Sequence, residues 1–197
     1  MIGDFFKIYY APRRVLDRLV ERVKGPASFI AKMMIGAMLT MAASMLAFFG
    51  VIILEFWFLI KGEIKFSFSI FLAPIYAAFI IPIIFWVLDT ILLLAGVGAV
   101  GGKVDLIGTM NIRAFSMAPI PLKLLYVFYT TKAISLLSLI GIPSGLISWV
   151  LTIWSILLLA KGIRKYFELG WGRSLIAALI PFLTKALIAT LLSGSLI

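Results

Sequence analysis

Four ionisable side chains interrupt otherwise apolar stretches of this sequence: Glu55, Asp89, Lys123 and Lys185. A charge held at the centre of a bilayer costs about 2.5–3.5 kcal/mol on insertion scales, so such residues face a partner or water. Asp89 and Lys123 fall at similar depth and form the expected pair, with Lys185 as a second candidate partner for Asp89. Glu55 lies close enough to the end of its stretch to reach the interface alone. Two chemistries fit the trio: a salt bridge that fixes helix register, or a relay that passes protons or ions. A relay needs further acids or a run of polar groups beside them, and the neighbouring segments offer few.

Other chemistry is excluded by residue type. The chain has no histidine and no cysteine, which removes the usual zinc sites, imidazole ligation, thiol nucleophiles and any Ser–His–Asp arrangement. Its eight acids are scattered singly, without the pairing that acid–base work or divalent metals require. Gly101-Gly102 is not followed by the Lys-Ser/Thr of a phosphate loop and reads as a tight turn. An enzyme, a cofactor and a nucleic-acid partner are all unexpected.

The elements that carry these residues are membrane helices. Of 197 residues, 63% are hydrophobic and 13% charged, against roughly 45–50% and about 25% in soluble domains. A membrane helix needs about 20 apolar residues. Uncharged runs of 22 residues (Met33 to Leu54), 23 (Phe66 to Leu88) and 28 (Ala133 to Ala160) meet that length, the last broken by Gly141, Pro143 and Gly145. Five spans are predicted, near 31–60, 70–99, 116–140, 145–163 and 174–194, with polar loops at 61–69, 101–113 and 164–173. The fold class is therefore an all-α polytopic membrane protein, with residues 1–28 as a leader and 29–197 as the five-helix domain.

Thirteen lysines and arginines fall on the side of the N-terminus in this count and three on the other, which places the N-terminus in the cytoplasm and the C-terminus outside. In the leader, Pro12 through Lys24 reads as a helix with an apolar stripe of Val15, Leu16, Leu19, Val20 and Val23. It suits the bilayer surface, with Arg13, Arg14, Arg18 and Arg22 meeting anionic headgroups or docking a partner protein.

Several short motifs in order resemble the Yip domain family, membrane proteins named for interacting with Ypt/Rab GTPases. They are Phe6…Pro12…Leu16…Leu19, Gly101-Gly102, Ala114-Phe115-Ser116 with Pro119, Trp154 with Lys161-Gly162-Ile163, and Trp171-Gly172-Arg173-Ser174 through Ala177-Ala178 and Pro181. The resemblance runs from Phe5 to about Leu192. It implies a five-helix bundle with a cytoplasmic N-terminus, acting in membrane traffic and membrane shaping. Eukaryotic members recruit GTPases through a long cytosolic leader. Only about thirty residues precede the first span here, as a prokaryotic member would have, which argues against GTPase binding. The expected role is a scaffold, a membrane-shaping component or an accessory subunit, with other membrane proteins or a second copy as partners. A small transporter or channel using Asp89, Lys123 and Lys185 is the alternative.

Overall fold

A computed structural model describes residues 6–26, 28–62, 80–119, 122 and 144–194. It is helical, and no strand occurs among the described residues. The helices are α1 (Pro12–Lys24), α2 (Phe29–Ile60), α3 (Ile81–Ala99), α4 (Leu106–Ser116), α5 (Ser144–Phe167) and α6 (Trp171–Gly194). Three stretches are long and apolar enough to cross a membrane: Phe29–Ile60, Leu146–Phe167 and Trp171–Ile188, with Trp86–Ala99 as a shorter apolar helix. The predicted segment 70–79, and the predicted third span beyond Leu122, lie outside the described residues.

Local chemistry sets the helix ends. Proline occupies the first turn of α1 and of α3, where its missing N–H costs nothing. Ser28 caps α2 by accepting from the Ala31 amide at 3.3 Å. At the end of α3, Gly101 adopts φ 80°. The Gly102 amide donates to the Val97 carbonyl at 2.9 Å, and the Gly101 amide to Gly98 at 3.0 Å. This is the Schellman turn that a glycine just past a helix makes possible. Asp105 then starts α4, its carboxylate accepting from the Ile107 amide at 3.0 Å.

The largest departure from the sequence reading is α4. The predicted polar loop 101–113 is a short turn followed by a buried helix. Thr109, Asn111, Ile112, Arg113, Ala114, Phe115 and Ser116 are all buried, and α4 contacts α1, α2, α3 and α5. Its eleven residues extend about 16 Å, half a bilayer core, so it is a wedge inside the bundle and not a span. Close approach is possible where α5 presents Gly162. A Cβ there would lie 2.6 Å from Ile112 Cγ2.

The packing of α1 adds to this reading. The stripe exists, but protein covers it: Val15, Leu16, Leu19, Val20 and Val23 are buried together with Ile35, Leu39, Phe115, Met117 and Leu158. Burying each such side chain is worth roughly 1.5–3 kcal/mol against water, so packing on the bundle satisfies the stripe without lipid. Ahead of α1, the Tyr9 hydroxyl donates to the Ala118 carbonyl at 2.6 Å. Burial pushes the Tyr9 phenol up to about 12, so it remains a donor across the physiological range. Glu55 is also buried, rather than reaching the interface alone.

Polar contacts gather three chain segments at one end of the bundle. Asp17 pairs with Lys165, Lys24 Nζ meets Glu168 Oε1 at 2.7 Å, and the Tyr166 hydroxyl donates to Asp105. The leader, the α3–α4 turn and the α5–α6 turn therefore share an end.

Candidate functional site

The central feature is a three-helix charge cluster. Asp89 on α3 is fully buried, and its Oδ2 accepts from an Arg113 guanidinium nitrogen on α4 and from Lys185 Nζ on α6, the latter at 2.9 Å. Arg113 is 3% exposed, whereas Lys185 is 32% exposed, so the Asp89–Arg113 pair is the desolvated one. The other end of the Arg113 fork donates to Ser116 Oγ at 2.8 Å; the Ser116 hydroxyl donates to the Arg113 carbonyl, also at 2.8 Å. Ser155 of α5 donates to the Ser116 carbonyl at 2.6 Å, which brings a fourth helix into the network. Both cations lie against the Phe182 ring, Lys185 Nζ at 5.1 Å and the Arg113 guanidinium at 5.8 Å from its centre.

Two positive charges share one carboxylate here. Asp89 Oδ1 and Arg113 Nε make no hydrogen bond among the described residues. Of the three residues singled out from the sequence, Asp89 and Lys185 meet, and Lys123 lies outside the described residues. The sequence reading missed Arg113, which it had counted as a loop cation. A usable signal was present: Leu106–Ser116 contains no other charge and opens with an Asp cap.

Hydrogen bonds to backbone hold α4 in place around this cluster. Asn111 Nδ2 reaches the Lys32 carbonyl at 3.1 Å, tying α4 to the start of α2. Trp86 Nε1 donates to the Met110 carbonyl at 3.0 Å, tying it to α3.

The leader arginines do not form one patch. Arg13 faces a cleft with Lys161, Arg164 and Lys165 of α5. Arg18 and Arg22 line a separate groove with Ala31 and Ile35 of α2. Arg14 is exposed between them, its carbonyl accepting from Arg18 Nε at 3.4 Å.

The family model for the Yip1 domain matches residues 6–193. The chain belongs to the Yip1 domain family. No curated protein and no solved structure matches it. Family membership and the apolar helices together make it an integral membrane protein. Within this Yip1 domain, several residues of the motifs noted in the sequence are packing positions. Ala114, Phe115, Ser116, Ile163, Ser174, Ala177 and Ala178 are all fully buried.

At the charged end of the Yip1 domain, Glu168 follows α5 at φ 57°, a left-handed position that usually favours glycine or asparagine. The hydrogen bond from Lys24, and then its charge, hold the Glu168 carboxyl below the usual glutamate range; Lys103 adds to this weakly. The depressed value means that the contribution of this pair is present above the ordinary glutamate pKa and is lost as pH falls through the folded one. Carbon-detected NMR of Glu168 is expected to show titration below that of a free glutamate. Lys24→Ala is expected to move it back up, and an unchanged midpoint would exclude the pairing.

Proposed function

We propose that this Yip1-domain protein is a non-enzymatic membrane scaffold, with its N-terminus cytoplasmic and its C-terminus outside. It binds other membrane proteins or a second copy of itself, and its arginine-bearing end rests against anionic headgroups. The observation that carries this reading is the docking of α1. Its apolar stripe and the pair from Asp17 to Lys165 fix the helix to the bundle, so the charged end is a stiff platform and not a free tether. The gathering of the leader, the α3–α4 turn and the α5–α6 turn at that end supports the orientation, because it collects the cation-rich segments on one side. Recruitment of a GTPase through a long free leader is not part of the reading.

Reconstitution into vesicles of mixed neutral and anionic lipid tests it. Vesicle diameter is expected to change with protein density, and crosslinking to capture dimers or larger assemblies. A protein that stays monomeric and leaves vesicle size unchanged would rule the scaffold out.

One observation favours transport as a second reading: the unmatched Asp89 Oδ1 and Arg113 Nε lie beside a partly exposed Lys185. On that reading Asp89→Asn abolishes flux in proteoliposomes while the fold survives. Flux lost only together with the fold would return the cluster to a structural role.

A further inference from the structure

We infer that the cleft between α1 and α5 is a binding site for the phosphate headgroup of an anionic phospholipid. The cleft, about 450 Å³, is lined by Arg13, Leu16 and Asp17 of α1 and by Lys161, Arg164 and Lys165 of α5. Four cations face one carboxylate, and Lys165 already engages that carboxylate. Arg13, Lys161 and Arg164 have no carboxylate within ion-pair distance among the described residues. They converge from two helices, so their field adds where a multivalent anion would sit. Arginine and lysine together suit a phosphate, which accepts several charge-assisted hydrogen bonds at once.

The face of α5 that leads into the cleft points to lipid as the source of the phosphate. Leu146, Val150, Ile153 and Leu157 are exposed along one face of the helix. Beyond Leu157, the next exposed positions of the helix are Lys161 and Arg164, four and seven residues on. Exposure therefore changes from hydrocarbon to cation within a single turn, about 5.4 Å. A phospholipid matches that profile, with an acyl chain along the stripe and its phosphate in the cleft, as basic pockets at helix ends bind headgroups. Trp171 marks the same level. Its ring lies 5.8 Å from the Arg164 guanidinium, and tryptophan concentrates at the membrane–water interface. A soluble anion would make no use of the stripe. The inference rests on the headgroup contact proposed for this end and narrows it to one site, whereas vesicle diameter and crosslinking test the scaffold separately.

The test is titration of the purified full chain, in neutral detergent, with phosphatidic acid, phosphatidylcholine, glycerol phosphate and inorganic phosphate, followed by native mass spectrometry. Phosphatidic acid is expected to bind well above phosphatidylcholine. Lys161→Gln with Arg164→Gln should weaken it about tenfold, the equivalent of about 1.4 kcal/mol. The charge-matched pair Lys61→Gln with Lys103→Gln, exposed and away from the cleft, should change it by less than about twofold. Equal losses in the two double variants would overturn the site in favour of diffuse attraction. Glycerol phosphate or inorganic phosphate binding as tightly as the lipid would overturn the lipid assignment. Arg13→Gln alone provides a second reading from the other wall of the cleft, and unchanged affinity there would also overturn the site.

Discussion

Arg113→Ala is expected to destabilise the protein by about 3–5 kcal/mol, the cost of leaving one partner of a buried ion pair behind. Asp89 is fully buried and would retain only Lys185, whose side chain is ten times as exposed as that of Arg113. The Ser116 hydroxyl would also lose its guanidinium donor. Unfolding in graded mixtures of mild and denaturing detergent, followed by tryptophan fluorescence, gives the measurement. Lys185→Ala should cost distinctly less, because Arg113 continues to neutralise Asp89. Replacing the cluster as a whole, with Asp89→Leu, Arg113→Met and Lys185→Met, should recover much of the loss, since apolar substitutes for buried ion pairs are often neutral or stabilising. If Arg113→Ala and Lys185→Ala cost the same, the ranking of the two cations by burial is wrong.

Gly162→Ala should produce the second large effect, about 1–3 kcal/mol from overpacking. The new methyl would meet Ile112 Cγ2 at 2.6 Å. Ile112 is 1% exposed on the central wedge, and β-branching leaves its side chain few alternative rotamers. Relief therefore requires α4 and α5 to separate. Combining Gly162→Ala with Ile112→Ala should cost less than the two singles added, a coupling that the same detergent titration resolves. Gly108 offers a contrast. A Cβ there would lie 2.1 Å from Tyr166 Cε1, but the obstacle is the outer part of a ring. The ring can swing away at the expense of its hydrogen bond to Asp105. Gly108→Ala should be damaging, yet partly rescued by Tyr166→Leu.

Much of the architecture was legible from composition alone. Long uncharged runs mark α2 and α5, and an apolar stretch interrupted by Lys185 marks α6, because lipid permits few alternatives to a helix. Pro12 and Gly25 delimit α1 for reasons of local backbone chemistry. The wedge was not legible. Thr109, Asn111 and Arg113 lower its apolar content, and a hydropathy reading assigns such a stretch to water. Protein instead takes up several of its donors: Asn111 Nδ2 by the Lys32 and Ile107 carbonyls, and the two terminal Arg113 nitrogens by Asp89 and Ser116. The positive-inside count absorbed Arg113 for the same reason, since that count treats every cation outside a span as solvated. Arg13 shows the converse case. Sequence grouped it with Arg14, Arg18 and Arg22 on one helix, and only tertiary structure gives it companions from α5.

The position of α4 bears on how the chain enters the membrane during synthesis. Asp89 lies ten residues from the end of α3, about 15 Å below the turn, so Arg113 must be carried to that depth to meet it. Only 24 residues separate the two along the chain, and both leave the ribosome before α5 is made. The α3–α4 hairpin can thus partition into lipid with its opposite charges already neutralised, before the later helices arrive to close around it.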